Sequence, residues 1–285
     1  MDIIIKNLYK SFGTKEALKD VSLVIHEGMF GLLGRNGAGK TTLMRIISTL
    51  INKTKGDITV CGIDINESKK VRALIGYLPQ EFSSYPNLTV WETMDYFGVL
   101  SEMSKAERRA IIPKILKEVN LDGYSKVKVK ALSGGMKRRL GIAQAIMHNP
   151  KVLIVDEPTA GLDPEERIRF RNLLCQIAKE RIVILSTHIV GDIEATCEDV
   201  AILDKGNVLY TGTVKELINR AKGKVYSKTI SISELEEVKR NYEVTGMLTL
   251  GNEVVVRVLS NEVLKDFQLC DPNVEDAYML TIGGI

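Results

Sequence analysis

The chain has 285 residues, 45% of them hydrophobic and 26% charged, with a net charge of +3. That length holds one large domain or two modest ones with a sizeable core, and the composition is that of a globular protein. So small a charge gives no ground for expecting nucleic acid or an anionic membrane surface as a partner. The four cysteines (Cys61, Cys175, Cys197 and Cys270) form no C-x-x-C pair and are expected as reduced thiols. His26, His148 and His188 show no metal-ligand spacing. The N-terminal MDIIIKNLYKSFG does not read as a secretory leader, and no run approaches the ~18–20 apolar residues that span a bilayer. The chain is expected to be soluble, with any membrane role lent by a partner.

In chain order, 3–5 and 21–25 (VSLVI) have strand character, with a turn near Gly13 between them. A short buried-type strand at 29–33 (MFGLL) runs into a glycine-rich loop and then a helix over 41–50. Further strands are expected at 57–61 and 75–78. From 89 to 147 the pattern is mostly helical, with breaks at Pro113, Gly123 and Ser133-Gly134-Gly135. The continuous apolar runs 152–155 and 182–185 suit parallel strands covered on both faces, with helical spacing over 164–180 between them. A hairpin is expected at 200–203 and 208–210, then a helix at 215–221 and a basic, turn-rich link over 222–228. Alternating strand and helix patterns follow through 285. The expected organisation is a domain over 1–220, with a helical insert at about 85–148, and a small C-terminal α/β extension over 221–285.

The loop Gly34-Arg35-Asn36-Gly37-Ala38-Gly39-Lys40-Thr41 fits GxxxxGK[ST], with an apolar strand before it and a helix after it. Glycines let several backbone N–H groups converge on one polyphosphate, Lys40 adds a point charge, and Thr41 offers a hydroxyl to Mg²⁺. Such chemistry also needs a carboxylate for the metal and a group that orients water. Asp156 and Glu157 end the apolar run VLIV and supply both. A second candidate phosphate hook lies at Leu132-Ser133-Gly134-Gly135, just before a helical run. There Ser133 can cap the helix while first-turn N–H groups stay free.

Over roughly 3–213 the chain resembles the ABC-type ATPases, the nucleotide-binding subunits of ATP-driven membrane transporters. The motifs occur in order: GRNGAGKT (34–41), YLPQ (77–80), LSGGM (132–136), VLIVDEP (152–158), AGLD (160–163) and STH (186–188). The resemblance implies an α/β fold: a P-loop NTPase parallel-sheet core, an N-terminal antiparallel β layer, an inserted helical subdomain and the small C-terminal appendix. It implies that Gly34, Arg35, Asn36, Gly37, Ala38, Gly39, Lys40, Thr41 and Thr42 hold ATP. Mg²⁺ would be held by Thr41, Gln80 and Asp156. Glu157 is then the general base, His188 the γ-phosphate switch, and Gln80 the loop glutamine at the metal or the lytic water. Phe12 stands where the family places an aromatic that stacks on adenine; it can equally be a core or turn aromatic. Ser133, Gly134 and Gly135 would serve the nucleotide of a partner subunit packed head to tail, and Asp163 the loop that crosses to it.

The partners implied are a separate transmembrane permease and a second ATPase subunit, identical or paralogous, with no nucleic acid. The location implied is cytoplasmic, peripheral at the inner face of the membrane through the permease. Phe82, Tyr85 and Leu88 either line a groove for a permease helix or belong to the core of the insert. Lys137-Arg138-Arg139 is expected as a solvated helix face. The ending 272–280 (PNVEDAYML) resembles the tails of the drug- and antibiotic-export branch, which favours an exporter. The alternative is a soluble ABC ATPase of translation or DNA maintenance. Against it stand the single cassette and the lack of a long heptad insert.

Overall fold

The computed structural model describes residues 1–283. Gly284 and Ile285, part of the expected C-terminal extension, lie outside the described residues. Three sheets organise the chain. The first, in the order β2-β1-β4-β5, comprises β1 (Asp2–Phe12), β2 (Lys15–His26), β4 (Lys55–Val60) and β5 (Ile63–Asp64). Its pairings are antiparallel. In β2, buried Val21, Leu23 and Ile25 alternate with exposed Ser22, Val24 and His26, as expected for a sheet with one covered face.

The central sheet runs β10-β9-β3-β8-β7-β6. It is built from β3 (Gly28–Leu33), β6 (Ile75–Leu78), β7 (Val152–Asp156), β8 (Ile182–Thr187), β9 (Asp199–Asp204) and β10 (Asn207–Thr213). Its pairings are parallel apart from the β9–β10 hairpin. Every residue of β7 and β8 is buried, because both faces are covered. Alternate residues feed two different cores. Val152 and Ile154, with Ile182 and Ile184, join the cluster under the antiparallel sheet, α1 (Lys40–Ile47) and α2 (Ser68–Leu74). Leu153, Val155, Val183 and Leu185 join the cluster under the helices of the other face.

Those helices are α3 (Val90–Leu100), α4 (Lys105–Glu118), α5 (Gly134–Ile146), α6 (Pro164–Ile177), α7 (Val190–Thr196) and α8 (Val214–Arg220). Capping boxes start α3 (Thr89 with Glu92) and α4 (Ser104 with Glu107). Pro113 does not break the chain as expected from sequence; it lies inside α4, whose buried Ile112, Ile115 and Leu116 hold the helix against the core through the lost hydrogen bond.

The third sheet, in the order β12-β13-β11-β14, contains β11 (Val225–Ser231), β12 (Glu243–Leu250), β13 (Glu253–Leu259) and β14 (Gln268–Leu269), with α9 (Leu235–Asn241) beside it. The expected link over 222–228 is thus largely strand: Val225 and Tyr226 are buried, so burial outweighs the neighbouring lysines. Tyr226, Ile230, Val254, Val256 and Val258 form a separate small core. The final helix, α10 (Val274–Gly283), turns back, and its Val274 and Ala277 join the main helical-face core. Among the described residues no helix is long and apolar enough to cross a membrane.

Candidate active site

β3 delivers the chain into the loop 34–39, and α1 begins at Lys40. Gly39 has φ +111°, and a Cβ there would lie 2.8 Å from Leu18 Cδ2 and 2.9 Å from the Ala17 carbonyl oxygen. A Cβ on Gly34 would collide with the Leu203 carbonyl oxygen. Glycine is therefore demanded at both positions. With Gly39 as N-cap and no side chain capping it, the first N–H groups of α1 stay open toward the loop.

Lys40 is 5% exposed, and its Nζ donates to the Gly34 carbonyl (2.6 Å) and the Arg35 carbonyl (3.3 Å). It also pairs with Glu157 Oε1 at 3.3 Å. The other carboxylate oxygen of Glu157 accepts from His188 Nδ1 at 2.6 Å. Glu157, just past β7, has φ +46°, a conformation that costs an L-residue energy and clusters at functional sites. Its N–H is tied to the Ser186 carbonyl at 3.0 Å, which fixes the end of β7 against β8.

Asp156 is 1% exposed. Thr41 Oγ1 donates to its Oδ2 at 3.1 Å, while its Oδ1 is buried with no hydrogen-bond partner among the described residues. Burial pushes the Asp156 carboxyl up, and the Thr41 hydrogen bond partly offsets this. A buried carboxylate oxygen left unpaired beside a hydroxyl is the donor set a hard divalent cation such as Mg²⁺ takes. The residues fit that ion.

A cleft of about 440 Å³ opens over this base. Of the expected site residues, Phe12, Arg35, Asn36, Gly37, Ala38, Gly39, Lys40, Thr41, Thr42, Gln80 and Glu157 line it. Gly34 and Asp156 lie beneath, joined through Lys40 and Thr41. Phe12 is 50% exposed at the rim, outside the core clusters. Lys15, Lys19, Arg35, Lys40 and Lys205 face it against only two acids, Glu16 and Glu157, which suits a polyanion. Lys15 and Lys205 carry no motif signal; the β1–β2 and β9–β10 turns bring them there.

Ser133, Gly134, Gly135 and Asp163 do not line this cleft. Ser133 caps α5, accepting from Met136 N–H at 3.2 Å, and Asp163 caps α6, accepting from Glu166 N–H at 2.8 Å. Glu166 joins the two: its side chain packs on Gly135 and pairs with Arg139 at 3.7 Å. Sequence reasoning missed Glu166, since a first-turn acid has an ordinary role at a helix start. It also missed two of three cations in Lys137-Arg138-Arg139, where the expected solvated face needs correcting. Arg139 is 12% exposed at Glu166, and Arg138 donates to the Pro79 and Gln80 carbonyls, tying α5 to the segment carrying Gln80. Adjacent helix positions differ by about 100°, so a charge run spans both inner and outer faces. Asp192, fully buried on α7, was likewise missed; it accepts from Thr159 Oγ1 (2.5 Å) and Arg167 Nε (2.7 Å).

A mainly parallel sheet whose first loop wraps a phosphate-sized cradle, with an acid at the end of a neighbouring strand, defines an α/β fold of the P-loop nucleoside triphosphatase class. The ABC transporter family model matches residues 18–160. The linearmycin resistance ATP-binding protein LnrL of Bacillus subtilis is 37% identical over 221 residues, 76% of this chain and 71% of that protein. The Nod factor export ATP-binding protein I of Bradyrhizobium diazoefficiens is 32% identical over 299 residues, 99% of this chain and 97% of that one. Among solved structures, the bacterial ABC transporter cassette MJ0796, a dimer, superposes with a TM-score of 0.67 at 29% identity over 74% of this chain and 98% of that one. The chain belongs to the ABC transporter family, among its ATP-binding proteins.

Proposed function

We propose that this chain binds Mg-ATP in the cleft, hydrolyses it, and powers a membrane exporter by ATP-driven head-to-tail dimerisation. The observation that carries the reading is the Lys40–Glu157–His188 cluster beside the unpaired Asp156 oxygen. Lys40 and the N–H groups of 34–41 bind the β- and γ-phosphates, and Phe12 offers its exposed face to the adenine. Mg²⁺, held by Thr41, Asp156 and Gln80, would neutralise charge on the phosphate oxygens. Glu157 accepts a proton from water as the water oxygen attacks the γ-phosphorus and the bond to the ADP oxygen breaks. His188 orients that carboxylate. The strain held at Glu157 keeps the base aimed without a longer side chain.

Ser133, Gly134, Gly135 and the Asp163 loop, gathered through Glu166 away from the cleft, are suited to the nucleotide of a second copy or a paralogue. The permease is a separate chain, and the protein works at the cytoplasmic face of the membrane through it. We read 1–220 as the ATPase domain and the following sheet as an extension of it.

The test is a tagged Glu157→Gln chain expressed in its native cell and recovered from detergent-solubilised membranes with Mg-ATP. A polytopic membrane protein should copurify stoichiometrically. The purified variant should bind ATP yet turn it over at least ~100-fold more slowly, as loss of a general base predicts. Hydrolysis at the wild-type rate removes the base assignment. A dimer that brings down no membrane protein keeps the ATPase and removes the exporter.

A further inference from the structure

Four residues past His188 the chain buries a charge. Asp192, in the first turn of α7, is fully buried. Its Oδ2 accepts from the Thr159 hydroxyl at 2.5 Å, and its Oδ1 accepts from Arg167 Nε at 2.7 Å. Arg171 stands 3.5 Å from the same Oδ1 and donates to the Gly191 carbonyl at 3.3 Å. Both arginines belong to α6 and are mostly covered. A buried ion network seldom stabilises a fold more than apolar side chains of the same volume would. What it supplies is direction, because charge-assisted hydrogen bonds hold their partners at set distances and angles.

Thr159 lies two residues past Glu157 and is 3% exposed. The Thr159–Asp192 bond is therefore a second cross-link between two segments that Glu157 and His188 already join at 2.6 Å. Each segment is stiff by itself. In one, Ala160 N–H donates to the Glu157 carbonyl (3.4 Å) and Leu162 N–H to the Thr159 carbonyl (3.2 Å). In the other, Ile189 N–H donates to Thr187 Oγ1 (2.9 Å) and Asp192 N–H to the Ile189 carbonyl (3.0 Å). One link between two stiff segments is a hinge, whereas two make a frame. The His188 side chain is 48% exposed, so packing alone leaves its ring room to swing away from Glu157. The buried pair behind it removes that freedom.

Resting on the reading of Glu157 as general base and His188 as the group that orients it, we propose that Asp192 is a positioning residue for the hydrolysis step. Gripped by Arg167 and Arg171, its carboxylate holds Thr159 and so keeps the His188 ring set against Glu157. None of these four residues lines the cleft. The network therefore governs the rate of bond breaking and not the hold on ATP.

The experiment compares two full-length variants: Thr159→Val, which removes the hydroxyl, and Thr159→Ser, which keeps it. Thr159→Val should lower kcat about 3–10-fold with the KM for ATP within about twofold of wild type, the scale of one lost hydrogen bond. Thr159→Ser should restore kcat. In a His188→Gln background, Thr159→Val should cost nothing further, because the ring it helps to place is gone. Without nucleotide, hydrogen exchange over 186–192 should quicken in Thr159→Val and not in Thr159→Ser. If Thr159→Val does not fold, Arg167→Lys, at the partly exposed end of the network, takes its place with the same kinetic expectations. A kcat equal to wild type, a raised KM with kcat kept, or an equal loss with and without His188 overturns the proposal and leaves the base assignment standing. Full turnover by Glu157→Gln overturns both.

Discussion

At the scale of single residues, the site is legible in sequence wherever a residue's role depends on its immediate neighbours. GRNGAGKT specifies a loop because strand, glycines and helix start are contiguous. The strain at Glu157 is not legible, since a positive φ on glutamate is imposed by its N–H bond to Ser186 on the next strand. It makes a prediction. Glu157→Gly and Glu157→Ala both remove the pairs to Lys40 and His188, but glycine adopts φ +46° freely and alanine does not. The glycine variant should be the more stable by about 1 kcal/mol, or roughly 2–3 °C in Tm. Equal melting would show that the strain is relaxed in solution. Arg138 and Arg139 were hidden for a related reason: nothing in a run of three cations tells which way each faces.

At the scale of elements, local signals and packing compete. Capping boxes start α3 and α4, whereas Pro113 signals an end that packing overrides. Pro113 is exposed, so Pro113→Ala restores the missing N–H without opening a cavity. Urea unfolding should show a gain of about 1–2 kcal/mol, part of the ~3 kcal/mol that proline costs inside a helix. No gain would mean the helix has adapted to the ring. His148, after α5, hydrogen-bonds the first carbonyl of β6 (Ile75, 3.2 Å), and burial holds its imidazole below the ordinary value of 6.5. The unfolded chain therefore binds this proton more readily, and stability should fall as pH drops below about 6.5. His148→Gln should flatten that slope; an unchanged slope would assign it to other groups. β11 was missed because Lys222 and Lys224 before it and Lys228 within it mask a strand that has buried residues chiefly at Val225, Tyr226 and Ile230.

At the scale of the whole molecule, the separation of Ser133 from the cleft predicts complementation. Lys40→Ala and Ser133→Arg chains should each hydrolyse ATP poorly as homodimers. Mixed, they form a dimer in which one site is doubly broken and the other intact, so a sizeable part of wild-type activity should return. Activity that stays at the level of the separate variants would place Ser133 in service of its own chain's nucleotide. The parallel core and its two faces were readable from apolar runs, but the return of α10 was not, because a ten-residue helix carries no sign of which distant surface it will cover. That return bears on biosynthesis. Val274 and Ala277 complete a core that begins at Met29, so this core cannot close until synthesis has passed residue 277. Until then the nascent polypeptide displays an unfinished apolar face, and chaperone occupancy during its synthesis should be relieved by the emergence of α10, not by that of the motifs that carry the chemistry.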